Sequence, residues 1–187
     1  YKTGYVGKWH LGLGMRSQVD WNAPLIPGPL EVGFDTFFGL PANHENHPEI
    51  YIEGREIQNR IAGEPIVVSG PKPNQVTTGV SPLRDNEACG PELAGKAVAF
   101  IQGAPEGEPF FLFYAPIEPH IPITPHADFK DSSECGPYGD FIQQLDHHVG
   151  EILAALEAKG ELETTLILFT SDNGGLVHPE NHASPQG

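Results

Sequence analysis

Lys8 and His10 stand two residues apart in the opening stretch Tyr1-Lys2-Thr3-Gly4-Tyr5-Val6-Gly7-Lys8-Trp9-His10-Leu11-Gly12. On an extended strand the two point the same way, while Trp9 faces the opposite side and can anchor in a core. A fixed positive charge beside an imidazole that titrates near neutrality suits an anionic substrate. Taken alone, such a pair is more often a surface lysine and a core-edge histidine. A second group is Asp172-Asn173-Gly174-Gly175, which offers a carboxylate and an amide oxygen on adjacent residues that can curl around a hard cation such as Ca²⁺. Alone, Asp-Asn-Gly is also a common turn. The third is His120, held between Pro119 and Pro122 in a stiff extended segment. That setting suits a side chain aimed at a substrate, although a single histidine in such a loop is usually just exposed.

Groups so far apart in sequence meet only if strands deliver them to one place. Tyr5-Val6 is a β-prone core leading to Lys8. The run Phe110-Phe111-Leu112-Phe113-Tyr114-Ala115 is continuously apolar, as expected of a strand covered on both faces, and it ends at Pro116 before the His120 loop. Thr165-Leu166-Ile167-Leu168-Phe169-Thr170-Ser171 reads as the next buried strand, with Asp172 at its end. Helical spacing predicts a packing helix from Pro91 to about Gln102, with Leu93, Ala94, Ala97, Val98 and Ile101 on one face. A second helix runs from about Tyr138 to Lys159, burying Phe141, Leu145, Val149, Ile152, Leu153 and Leu156, with Gly160 as its stop signal. This alternation predicts an α/β fold with a mainly parallel sheet flanked by helices. In such sheets ligands collect beyond the carboxyl ends of the strands, where all three groups would lie. The remaining chain reads as a proline-rich loop over 13–32, a short strand over 34–40, a small hairpin over 51–57, and an extended segment over 62–86 whose strongest strand is Ile66-Val67-Val68.

Composition mostly excludes. With 10 Lys+Arg against 25 Asp+Glu in 187 residues, the net charge of −15 argues against nucleic acid and anionic membrane surfaces as partners. An anionic substrate would therefore need local positive charge. No apolar run approaches the ~20 residues of a membrane span. The chain begins without Met and stops just after a glycine-rich turn, and it reads as an excised piece. Two cysteines, Cys89 and Cys135, are too few for a disulfide framework and are not spaced for zinc.

Gly4-Tyr5-Val6-Gly7-Lys8-Trp9-His10-Leu11-Gly12 resembles a signature block of the sulfatase family, in the alkaline-phosphatase-like superfamily. Pro119-His120-Ile121-Pro122 and Thr170-Ser171-Asp172-Asn173-Gly174-Gly175 resemble two later blocks of that family, in the same order. The resemblance is nearest to the arylsulfatase A type, through Gly33-Phe34-Asp35-Thr36-Phe37-Phe38-Gly39-Leu40-Pro41 and the stretch from Tyr138 to Gly150. It implies an alkaline-phosphatase-like catalytic domain, present in part over residues 1–187, and a sulfuric ester hydrolase that cleaves sulfate monoesters of small molecules or carbohydrates. It further implies that Lys8 binds the sulfate, that His10 takes a proton during turnover, and that His120 binds a sulfate oxygen and helps to protonate the leaving alcohol. Asn43 matches a position that contacts substrate in relatives, and Asp172 and Asn173 match ligands of a Ca²⁺ ion completed by upstream aspartates. The nucleophile implied is a formylglycine upstream of Tyr1, without which the fragment is expected to be inactive. Export or a lysosomal location is what the family suggests.

Cys89 and Cys135 both sit in Cys-Gly-Pro, but Leu93 and Gly139 stand where the family's Cys-x-Pro-x-Arg motif has Arg, so neither is read as the nucleophile. The histidine pairs His44/His47, His147/His148 and His178/His182 lack a third ligand at metal spacing and read as solvated or structural, with His178 and His182 also candidates for the substrate mouth. Two other functions fit the same residues: a phosphatase or phosphodiesterase of the superfamily, and a non-catalytic sulfate- or sugar-binding relative.

Overall fold

The computed structural model describes residues 1–14, 19–46, 48–69, 72 and 75–174. Its elements in chain order are β1 (Lys2–Lys8), α1 (Pro29–Val32), β2 (Thr36–Leu40), β3 (Ile52–Glu53), β4 (Glu56–Ile57), β5 (Val67–Val68), β6 (Val76–Thr78), α2 (Cys89–Gly103), β7 (Phe110–Ala115) and α3 (Gly136–Lys159). Five strands form one sheet in the order β4-β3-β2-β1-β7, and β5 pairs with β6 in a separate ribbon. β1 runs parallel to both neighbours, with Lys8 opposite Leu40 and Gly7 opposite Ala115, while β3 and β4 add an antiparallel hairpin at one edge. The mainly parallel α/β sheet read from the sequence is therefore present.

The two-residue period of the strands divides the core. Val6, Phe38 and Leu40 face α2 and α3, meeting Leu93, Ala97 and Phe141. Tyr5 and Phe37 face the opposite way and pack with Trp9, Trp21, Leu25, Ile66 and Val76 from the long loops and the ribbon. Trp9 is buried as expected and meets Tyr5 edge to face, with ring centroids 5.4 Å apart. Both long helices fall where their periodicity placed them, and α3 stops at Gly160, whose φ of 76° is the left-handed cap that a side chain would strain. The hairpin over 51–57 and the strand ending at Leu40 also form.

Four expectations are corrected. The 13–32 loop contains a short helix, α1, opened by Pro29 at its first position. Phe111 and Phe113 point to one face of β7, which ends the sheet among the described residues, and remain about half exposed (49% and 47%), so the strand is not covered on both faces. The segment 165–171 forms no strand: Leu166 is 83% and Phe169 77% exposed. Its apolar run is strand-like, but a strand exists only as a pairing, and no ladder partner meets it among the described residues. On α3 the predicted Leu145, Val149, Ile152 and Leu153 are only partly buried, while Asp140, Gln144 and His148 take the innermost positions. No helix among the described residues is long and apolar enough to cross a membrane.

Candidate active site

Because β1, β2 and β7 are parallel neighbours, their carboxyl ends open on the same side of the sheet. Lys8 ends β1, Asn43 follows β2 by three residues, and His120 follows β7 by five. The topology thus gathers these three sequence-predicted residues at the rim where open α/β sheets bind ligands.

Lys8 is largely covered, with a side chain 21% exposed, and its Nζ lies 3.6 Å from Asp172 Oδ2. Asp172 is thereby brought to β1 although no strand precedes it, which corrects its expected place at a strand end. Its carboxylate is 72% exposed. Next to it, Asn173 Nδ2 donates to Gly174 O at 2.8 Å, which leaves the amide oxygen as the remaining side-chain acceptor. Both residues therefore present hard oxygen donors, the chemistry Ca²⁺ prefers, and they amount to two of the six to eight oxygens such an ion takes.

His10 departs from the expected geometry. β1 ends at Lys8, and His10 turns into the left-handed region at φ 58°, so the two side chains do not share a strand face. Its backbone N–H still donates to Pro41 O at 3.2 Å, which fixes an exposed ring just beyond the sheet. A non-glycine residue held at positive φ is uncommon and tends to occur where function constrains the backbone.

Around His120 the structure assembles residues that sequence reasoning had set aside. His120 Nδ1 lies 2.6 Å from Ile121 O and 3.5 Å from Glu45 Oε2. Asn43 Nδ2 donates to the other Glu45 oxygen at 3.3 Å. His44 is fully buried, with Nε2 2.8 Å from Pro122 O, which ties the loop after β2 to the loop after β7. A carbonyl accepts only, so Nε2 carries the proton in this contact and Nδ1 keeps its lone pair. Burial holds the His44 imidazole below its usual range, in the neutral form. Arg84, itself buried, donates from Nη2 to His44 O at 2.7 Å and locks the backbone there.

The His120 loop is clamped to α3 by one side chain. Gln144 Nε2 donates to Glu118 Oε1 at 2.7 Å, and Gln144 Oε1 accepts from the His126 N–H at 2.7 Å, so both ends of the loop hang on the same amide. His148 Nδ1 lies 3.4 Å from Glu118 Oε1, buried as a structural residue. The spacing 140, 144, 148 did carry a signal, since residues four apart share a helix face. Their polarity pointed to solvent instead. Replacing Gln144 by Leu, which keeps the bulk and removes both hydrogen bonds, is expected to cost about 1–3 kcal/mol by leaving a buried carboxyl group without its amide donor. A denaturant midpoint unchanged from the parent would refute that clamp.

The remaining candidates resolve simply. Cys89 is buried and its thiol is pushed up to about 11, chiefly by burial, so it is no thiolate nucleophile; Cys135 is exposed, and both are free. His147 is exposed, 3.7 Å from Glu151. His47, His178, His182 and Gly175 lie outside the described residues.

The mainly parallel sheet flanked by helices, with Lys8 and His120 beyond its carboxyl ends, has the alkaline-phosphatase-like fold, and the comparisons place it more narrowly. The Sulfatase family model matches residues 1–187, and the chain belongs to the sulfatase family. It is 33% identical to the N-acetylgalactosamine-6-O-sulfatase of Bacteroides thetaiotaomicron over 95% of this chain and 41% of that protein. It is 34% identical to human arylsulfatase A over 93% of this chain and 33% of that protein. A solved Bacteroides thetaiotaomicron structure, BT33336S-sulf, from a locus for metabolism of multiple glycosaminoglycans, superposes with a TM-score of 0.80 at 30% identity, over 86% of this chain and 40% of that one. The chain thus spans about a third to two-fifths of the length of these relatives.

Proposed function

We propose that the protein hydrolyses sulfate monoesters of carbohydrates, with this chain supplying one wall of the active site. The observation that carries the reading is the convergence of Lys8, Asn43 and His120 at the carboxyl ends of three adjacent parallel strands, with Asp172 drawn to Lys8 at 3.6 Å. The family membership and the names of the sulfatase relatives support sulfate over phosphate.

In this reading Lys8 meets a sulfate oxygen and offsets its charge as the ester bond breaks, inside a chain whose overall charge of −15 would otherwise repel the substrate. Asp172 and Asn173 would hold Ca²⁺, which when bound supplies further positive charge against the sulfate. Asn43 offers its amide to the substrate. His120 has its Nδ1 engaged by Ile121 O and Glu45, so Nε2 is the atom left to face the sulfate and to pass a proton to the departing alcohol. His10, exposed just beyond β1, accepts the proton released in regenerating the nucleophile. That nucleophile, a formylglycine by family resemblance, is neither Cys89 nor Cys135.

The deciding assay presents the full-length protein with N-acetylgalactosamine-6-sulfate, an aryl sulfate and the phosphate esters of the same alcohols. Turnover of a sulfate ester, lost on removing Ca²⁺ and far above that of the phosphates, is the expected result. Faster phosphate hydrolysis, or ligand binding with no turnover of either ester, would overturn it.

A further inference from the structure

Asn43 Oδ1, His44 Nδ1 and Glu45 Oε2 are buried atoms with no hydrogen-bond partner among the described residues. Buried polar groups are seldom left so, and a run of three on consecutive residues marks a place for water or a bound ion. All three can only accept, since His44 carries its proton on Nε2, so none can satisfy another. The last two belong to a group in which His44, Glu45 and His120 each bring one ligand atom within 4.8 Å of the others. His44 and Glu45 are adjacent in sequence, but His120 arrives from the loop after β7. For that reason the expectation that no third ligand completes a histidine site is corrected by the fold.

We infer that His44, Glu45 and His120 bind a Zn²⁺ ion. Two imidazoles and one carboxylate form a three-ligand set that zinc accepts with a fourth position open, and nitrogen donors are a poor match for Ca²⁺. His44 is prepared as a ligand: Nε2 is tied to Pro122 O at 2.8 Å, which fixes the tautomer and points the Nδ1 lone pair into the site. Glu45 Oε2 and His120 Nδ1 are 3.5 Å apart, close to the roughly 3.4 Å edge of a tetrahedron with zinc bonds of about 2.1 Å. Only His120 has to give, because its Nδ1 faces Ile121 O. Its side chain is 35% exposed, and the broad torsion about Cβ–Cγ lets the ring turn toward the ion. The binding stands apart from the sulfatase reading, whereas its consequence rests on it: the ring turn that brings His120 Nδ1 to zinc moves Nε2 off the sulfate, and hydrolysis falls.

The test titrates the full-length protein with Zn²⁺ against a chromophoric zinc chelator, in excess Ca²⁺ so that the oxygen site stays saturated. One equivalent is expected to bind, with Glu45→Gln and His120→Asn each weakening it at least tenfold, and His147→Asn, at the exposed pair with Glu151, leaving it unchanged. Co²⁺ in place of Zn²⁺ is expected to give the visible absorption of a tetrahedral site in the parent and to lose it in both ligand variants. The two substituted side chains are partly exposed, and circular dichroism melts check that the variants fold. Absence of binding, or an affinity kept in both ligand variants, overturns the site. Zinc binding in a protein that turns over no sulfate ester overturns only the functional reading, and turnover without zinc binding overturns only this site.

Discussion

A Gly7→Ala protein is expected to lose about 3–5 kcal/mol of stability, the upper range for a single substitution, or to fail to fold. A Cβ at Gly7 would lie 1.9 Å from the Ala115 carbonyl oxygen and 2.5 Å from its carbon, and φ at Gly7 is 127°, where side chains are strained whatever the space. The atoms in the way are backbone, so no rotamer change relieves the overlap. On the other side of the same row, Gly39 is pressed against Gly7, and a Cβ there would meet the Gly7 oxygen at 1.8 Å. β1 is therefore squeezed between β2 and β7 at the residue before Lys8, and any widening there displaces the lysine. Gly150 provides the contrast: it sits on α3 with nothing within 4 Å of its would-be Cβ, so Gly150→Ala should gain up to about 1 kcal/mol from helix propensity alone. Thermal melts followed by circular dichroism read both. At roughly 2–4 °C per kcal/mol for a chain of this size, Gly7→Ala should melt about 6–20 °C below the parent. Equal melting temperatures for the parent and Gly7→Ala would mean that β1 and β7 do not approach as described.

The strand run Phe110–Ala115 and the periodicity of the two helices followed local rules that survive in the fold. Those rules are local because strand and helix periods depend on neighbours a few residues away. The departures arise where distant partners decide. The 165–171 run is as apolar as β7, yet one pairs with β1 and the other meets no ladder. Asp140, Gln144 and His148 look like a solvated stripe until Glu118, the His126 N–H and the backbone at Asp131 and Ser133 are placed against them. The same holds for the candidate site. Lys8, Asn43, His120 and Asp172 were legible as residue types within motifs; the sheet brings the first three to one rim, and Asp172 joins them through its pair with Lys8. The grouping of His44 and Glu45 with His120 was not legible, because His120 lies more than seventy positions along the chain and only the parallel pairing of β2, β1 and β7 closes the distance.

Lys8→Ala is expected to lower kcat/KM for a sulfate ester about 10³-fold while leaving the melting temperature almost unmoved. The rate effect follows from position: a cation that meets the charge developing on sulfate contributes on the scale of a lost electrostatic donor in other enzymes, about 10²–10³ in rate. Here the loss should reach the top of that range, because a chain of net charge −15 leaves an incoming anion facing a repulsive field once its nearest lysine is gone. The small effect on stability follows from the Lys8–Asp172 pair itself. Its carboxylate is 72% exposed and 3.6 Å away, and ion pairs of that kind contribute about 0–1 kcal/mol. Lys8→Arg refines the argument, since it keeps the charge but replaces a compact ammonium by a longer planar fork whose donors sit elsewhere. It should recover binding more than turnover, lowering KM toward the parent while kcat stays depressed. A loss in Lys8→Ala of less than tenfold would remove the lysine from the reaction. A comparable fall in melting temperature would recast it as a residue that holds Asp172 for structural reasons. The expected combination, a large rate loss on an intact fold, is the outcome that a lysine aimed at sulfate predicts and a merely structural ion pair does not.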